Sequence, residues 1–427
     1  MSGAPFDVDA LAAHPNPLWP HYSRFDVGGR VLLSGHSHQA WPDVAFEAQQ
    51  QAWLDAARWV DDKWSHAFER AERVRRGWAR LLRDDDAEIA IGPATHDLLV
   101  KLLSALPLRQ RPRLVTTDGE FHTIRRQLAR LAEEGVEVAV VSAQPSDAIA
   151  ERLADAVDDR TAAVFVSSVL FRNAHIVPGL DRVAAACARV GAELVVDAYH
   201  HLNVVPFSIR ELGLADAFVT GGGYKYAQLG EGNAFLRVPP GRRLRPAVTG
   251  WFSEFSAVTD ADGGRVGEAE TAGAGALGPV RYGRGADRFA GATYDPVSQY
   301  RAAAVFDFFE SMRLTPELLR EVSRHQIRRL AERFDALDLD PAVIDRQRDA
   351  PLERIAGFLA LRSPLAGALS RWLRERGVYS DYRDDVLRLG PAPYLSDAQI
   401  QQGIDALGAA AKRLSRGAVA SDGRVDP

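Results

Sequence analysis

Asp197-Ala-Tyr-His200, followed by Thr220-Gly-Gly-Gly-Tyr-Lys225-Tyr226, is the stretch that decides how this chain is read. Glu193-Leu-Val-Val196 precedes the aspartate and is a short apolar run suited to a buried parallel strand. Asp197 then falls at a strand's carboxyl end, where open α/β sheets place their ligands. Ala215-Asp-Ala-Phe-Val-Thr220 reads as a second strand that runs into three glycines. Glycine lets the backbone turn sharply and come close to a bulky group. Two strand ends therefore bring a carboxylate, Asp197, and an amine, Lys225, towards one pocket.

Working outward, strand-like and helix-like segments alternate from residue 88 to 240. Glu88-Ile-Ala-Ile-Gly92, Leu114-Val-Thr-Thr117, Val136 to Ser142 and Ala162 to Ser168 read as strands. Leu98 to Leu106, Ser146 to Val157 and Pro178 to Val190 read as helices. This alternation predicts an α/β fold with a doubly wound, mostly parallel sheet. Asn233 to Val238 is expected to return as an antiparallel partner in that scheme. Val44 to Leu82 is helical in pattern, with Trp53, Trp59, Trp64 and Trp78 read as core. A long helix from Val297 to Met312 links to a region of helices and short strands. The expected organisation is an N-terminal segment, 1–50, at the mouth of the site; a large domain, 51–300; a smaller α+β domain, 301–414; and a disordered tail, 415–427. Residues 258–280 lack apolar periodicity and read as a mobile loop. The last helix is expected over Ser396 to Leu414.

The 427 residues exceed what one compact core usually holds. Composition is that of a globular protein, 46% hydrophobic and 26% charged, with a formal net charge of −5. Acidic and basic residues are interspersed, and no basic patch interleaved with aromatics argues for a nucleic-acid partner. No apolar run reaches membrane length, and the first residues do not read as a signal peptide. The single cysteine, Cys187, rules out an intramolecular disulfide and fits a reducing, cytoplasmic setting. His36 and His38 could be half of a metal site, but no partner cluster with ligand spacing follows, so no metal is expected.

With its strands and glycine turn, the Asp197/Lys225 pair resembles kynureninase, in the class V aminotransferase group of fold-type I pyridoxal phosphate (PLP) enzymes. The resemblance spans roughly residues 30 to 410. It implies a mostly parallel, seven-stranded-type sheet with a smaller C-terminal domain, PLP as cofactor, and a homodimer with active sites at the subunit interface. Lys225 would hold the cofactor through an imine, and Asp197 would keep its ring nitrogen protonated. At ~3 Å and an effective dielectric of ~20 such a pair is worth several kcal/mol before desolvation is subtracted. His200 is assigned to the oxygen side of the ring. Thr95 and His96 open a helix whose N-terminus suits the phosphate, and Tyr224 donates to the same group. Phe121 or His122 stacks on the ring, with Phe121 favoured. Ser168 is placed near the ring's 3′-oxygen. Trp251 and Thr293 match residues that reach the neighbouring subunit's phosphate. Arg388 matches the arginine whose planar fork takes the substrate α-carboxylate. Ser37 and Tyr294 fall in segments that meet the substrate.

The implied reaction is cleavage of the Cβ–Cγ bond of L-kynurenine or a related β-acyl amino acid, giving alanine and an aryl acid. The segments around His36 and Tyr294 depart from the kynureninase pattern. This keeps open a second reading: another class V enzyme acting on a different amino acid as aminotransferase, β-eliminating lyase or decarboxylase. Desulfurases need a cysteine on a late loop, and residues 300–427 contain none.

Overall fold

The structure, a computed structural model, describes residues 6–254 and 280–422, with side chains described as far as 415. The loop expected at 258–280 lies outside the described residues except for its last position.

Among the described residues the centre of the molecule is a seven-stranded sheet. Its strands are β2 (Glu88–Gly92), β3 (Arg113–Thr117), β4 (Glu137–Val141), β5 (Thr161–Ser167), β6 (Glu193–Asp197), β7 (Phe218–Gly222) and β8 (Ala234–Val238). Their order across the sheet is β2-β8-β7-β6-β5-β3-β4. All pairings among β4, β3, β5, β6 and β7 are parallel, whereas β8 runs antiparallel to both β2 and β7. Side chains alternate through the sheet with the period of two that a pleated strand imposes. Val164, Val166, Val196 and Val219 enter one hydrophobic core, while Ala163, Phe165, Val195 and Phe218 enter another on the opposite face. Both faces are covered, which is why these strands read as continuous apolar runs.

A second sheet forms the smaller unit. Its strands β9 (Asp345–Arg346), β10 (Leu359–Arg362), β12 (Asp381–Arg383) and β13 (Val386–Leu389) lie in the order β12-β13-β10-β9, all antiparallel. The helices Pro316–Asp335, Ala366–Arg374 and Asp397–Asp422 belong to this half. The N-terminal segment takes part in it as well. Strand β1 (Val31–Leu32) pairs in parallel with β11 (Val378–Tyr379), and Val31 and Leu33 are buried in the small unit's core.

Three expectations need correction. The helical stretch from Val44 to Leu82 is two helices, Val44–Trp59 and Lys63–Leu82, broken where Val60 takes a positive φ of 49°. Of its four tryptophans only Trp78 is deeply buried; Trp53 is 71% exposed and Trp59 is also exposed. Helical spacing put them on a helix but could not say which face meets the sheet. Lastly, the final helix continues to Asp422 rather than ending at Leu414 ahead of a tail. Each added residue gains a backbone bond without a new nucleation cost, so a formed helix extends readily through alanine-rich sequence. Residues 423–427 lie outside the description.

Candidate active site

Parallel pairing sets the site. Ser167 on β5 is registered opposite Asp197 on β6, and Asp197 opposite Thr220 on β7. Neighbours in register share a face, so the Ser167 and Asp197 side chains emerge together at the carboxyl edge of the sheet. There a cavity of about 270 Å³ is lined by both, and by Lys225, Phe121, His200 and the turn Pro93-Ala-Thr-His96. The glycines before Lys225 do not adopt positive φ. Gly222 and Gly223 are needed for close approach: a Cβ on the first would strike the Tyr199 ring, and on the second the Leu229 side chain.

Lys225 is 6% exposed, and its Nζ lies 4.7, 5.0 and 5.7 Å from the ring centroids of Tyr224, Tyr199 and Phe121. Burial, reinforced by the nearby Arg388 charge, lowers its pKa to about 7. Asp197 moves the other way. Burial raises it to about 6, against the N–H of Tyr199, which donates to its Oδ1 at 2.8 Å, and the Lys225 charge. A buried carboxylate and a buried amine thus face one cavity, each pressed towards its neutral form by desolvation.

His200 lines the same cavity; it is buried, its pKa is held well below the ordinary imidazole value by desolvation, and its Nδ1 has no hydrogen-bond partner. Thr95 is the first residue of the helix Thr95–Ala105, behind an Ala94 N-cap that supplies no side-chain bond. The first N–H groups of that helix therefore open on the cavity with Thr95 and His96. Phe121 is part of the cavity wall. His122 is not: it packs beside Phe121 and Phe171, 5.4 Å from each. Tyr224 lines the cavity and stacks on His38 at 4.7 Å and 16°.

The other expected site residues lie elsewhere. Ser168 points through the opposite face of its strand, where its Oγ donates to the Asp197 carbonyl and meets His201 Nδ1 at 3.2 Å. The expectation was one residue out of phase, and Ser167 takes the place by the cavity. Ser37 and Tyr294 do not line the cavity. Ser37 Oγ contacts His38 Nδ1 at 3.2 Å, and Tyr294 packs among Trp64 and Phe252. Trp251, 49% exposed, donates from Nε1 to Thr293 Oγ1 at 3.1 Å, and neither lines the cavity of its own chain. Arg388 is buried beside the cavity but already engaged, with Nε and Nη2 on Asp381 at 2.8 and 2.5 Å. His36, at which no metal was expected, bonds the same Asp381 at 2.7 Å. Among the described residues no cluster of three or more His, Cys, Asp or Glu has metal-holding geometry.

Residues not singled out from the sequence complete the site. Glu120 is buried and accepts from Ser167 Oγ at 2.6 Å and Thr117 Oγ1 at 2.7 Å; burial raises its pKa to about 7. With its proton turned to Glu120, the Ser167 hydroxyl presents an acceptor to the cavity. Tyr199, inside the quoted motif, walls the lysine. Asp381 was missed; it stands opposite Arg388 across a two-residue turn at 384–385.

The buried imidazoles give a stability prediction. His36 and His201 are lowered to about 4 by burial, and burial also holds His200 well below its ordinary value. Between ~6.5 and about 4 the unfolded chain binds protons that the folded chain refuses, so stability falls as pH falls through that window. Glu120 and Asp197, raised to about 7 and about 6, act the other way and offset part of this loss. Thermal melts from pH 7 to pH 4 are expected to show a net drop in Tm, and a rise in Tm over that window would contradict buried neutral imidazoles.

The chain has the α/β architecture, with a mostly parallel central sheet flanked by helices, of fold-type I, cysteine-desulfurase-like structures. No family model matches the chain. The chain is 24% identical over 383 residues to the uncharacterized aminotransferase YcbU of Bacillus subtilis (strain 168), covering 89% of this chain and 94% of that protein. Among solved structures, a mutant of C-DES with glycine covalently linked to the PLP cofactor is similar at TM-score 0.77 and 17% identity, covering 92% of this chain and 99% of that one. The cystine C-S lyase C-DES with its product cysteine persulfide matches at TM-score 0.75 and 18% identity, over 90% and 98% of the two chains. The apo cysteine desulfurase of Thermococcus onnurineus NA1 matches at 0.74 and 14%, over 93% and 98%.

Proposed function

We propose that this chain is a PLP-dependent enzyme of the class V aminotransferase type, acting on a primary amine as aminotransferase, lyase or decarboxylase rather than hydrolysing L-kynurenine. The observation that carries it is the convergence of Lys225 and Asp197 on one cavity walled by Phe121. The cavity residues fit the cofactor by their chemistry. An amine with a pKa of about 7 is half neutral at physiological pH, and only the neutral form attacks an aldehyde. Asp197 is a carboxylate facing the cavity, and His200 Nδ1 is a buried polar atom without a hydrogen-bond partner. The uncapped helix start at Thr95 offers N–H groups and a dipole end to a phosphate.

When bound, PLP supplies an electron-withdrawing ring that stabilises negative charge on the carbon next to the substrate nitrogen. Every other part belongs to the protein. Asp197 would keep a proton on the cofactor's ring nitrogen. Lys225 Nζ would hold the cofactor and, once released by the substrate amine, move a proton at the carbon next to the substrate nitrogen. Phe121 would pack on the ring, and Thr95 and His96 would hold the phosphate. Tyr199 and Tyr224 keep bulk water from the Lys225 amine, which preserves its lowered pKa.

The residues expected to grip kynurenine give that substrate little support: Ser37 and Tyr294 do not line the cavity, and Arg388 is held by Asp381. A cysteine nucleophile is absent too, because the sole cysteine, Cys187, is buried with its thiol pushed up to about 12. A homodimer is part of the proposal, with Trp251 and Thr293 offered to the partner's site. The discriminating experiment incubates PLP-loaded protein with L-kynurenine and, separately, with a panel of amines and an oxo-acid acceptor. Amine consumption with no alanine from kynurenine is expected. Alanine release from kynurenine would restore the hydrolase reading.

A further inference from the structure

Glu120 is a buried acid in the turn after β3, next to Phe121 of the cavity wall. Among the described residues its side chain meets two hydroxyls and no cation. Thr117 Oγ1 donates to Oε1 at 2.7 Å, and Ser167 Oγ donates to Oε2 at 2.6 Å. Both hydroxyls are buried as well. A desolvated carboxyl group with no charged partner in contact costs the fold stability. Burial raises its pKa to about 7, against the two hydroxyl bonds and with the Asp197 charge adding to the rise. An acid kept at such a cost beside a cavity is a candidate for a part in what the cavity does.

The bonds fix which way each hydroxyl points. Thr117 Oγ1 accepts from the Gly119 N–H at 3.1 Å, which leaves its single proton for Glu120. Ser167 also has one proton and spends it on Glu120. Its lone pairs are what Ser167 then shows to the cavity that it lines. Ser167 on β5 is in register with Asp197 on β6, and neighbouring strands lie about 4.8 Å apart. A cationic N–H brought to Asp197 therefore meets acceptors from two adjacent strands. Were the Ser167 proton turned inward, it would be drawn to the Asp197 carboxylate and compete with that cation.

We propose that Glu120 is a positioning residue: it holds the Ser167 proton away from the cavity, so that Ser167 joins Asp197 in favouring a protonated ring nitrogen on the bound cofactor. Glu120 touches no reacting atom and acts through Ser167. This deepens the proposed function and rests on Lys225 and Asp197 being the cofactor's partners.

The test compares PLP with its 1-deaza analogue, in which a C–H group replaces the ring nitrogen. Each is titrated into cofactor-free protein, and the dissociation constant is read from the change in absorption. The wild-type protein is expected to prefer PLP. Ser167→Ala, Glu120→Leu and Glu120→Ala are each expected to cut that preference roughly 3- to 10-fold, the scale of one hydrogen bond. The loss is expected in PLP binding, with the analogue's dissociation constant nearly unchanged. Added to Ser167→Ala, Glu120→Leu is expected to remove little more, because the two residues act as one unit. Variants that fold and weaken both compounds alike, or neither, overturn the inference. So does a Glu120→Leu effect that is undiminished when residue 167 is already alanine. Should neither Glu120 variant fold, a preference for PLP that survives Ser167→Ala sinks the inference by itself. If PLP produces no visible band, the reading of Lys225 fails. If the wild-type protein is indifferent to the ring nitrogen, the reading of Asp197 fails. Either failure takes this inference with it.

Discussion

Lys225→Ala is expected to abolish the visible absorption band formed with PLP and to lower turnover by on the order of 10⁴-fold. Two losses combine in that substitution. The amine that holds the cofactor by a covalent bond disappears, and so does the group that carries the proton at the reacting carbon. Folding is expected to survive, because Lys225 is a cation kept in a desolvated place at a cost: burial lowers its pKa to about 7, and removing it relieves that strain. The measurement is a spectrum of the variant with PLP beside its Tm. A variant that keeps the band would place the anchor elsewhere.

Asp197→Ala carries the second largest effect. The carboxylate's role is to keep the ring nitrogen protonated in the transition state, so its loss acts on turnover more than on binding of the amine. Removing one fixed electrostatic partner of this kind costs on the order of 10²- to 10³-fold in rate. Asp197→Glu, which keeps the charge but lengthens the arm, is expected to recover part of that loss. A fall confined to KM, with kcat unchanged, would assign Asp197 to substrate binding instead.

These residues were legible because their positions follow from local pattern. Asp197 stands at the end of an apolar run that folds as β6, and Lys225 follows the two glycines that end β7. The strand-helix alternation gave the parallel sheet, and the return strand 234–238 runs antiparallel as expected. What was misread depended on phase or on distant partners. Ser168 against Ser167 is a single step along a strand, and one step reverses the face. Thr95 was identified as a helix start, but that its N-cap would be an alanine without a capping side chain is a property of local geometry. Arg388 was found by resemblance, yet its occupation by Asp381 and His36 joins residues 345 apart in the case of His36 and Asp381. No periodicity reports such a meeting. Glu120 was passed over for the same reason: its value lies in the Ser167 hydroxyl 47 residues away.

The most direct measurement uses the scarcity of lysine, since the chain has only Lys63, Lys101, Lys225 and Lys412. PLP-loaded protein is reduced with borohydride, which fixes any imine, then digested and mapped by mass spectrometry. The account predicts the pyridoxyl group on the peptide containing Lys225 and on no other lysine. A pyridoxyl group on Lys63, Lys101 or Lys412 in place of Lys225, or none at all, would contradict it.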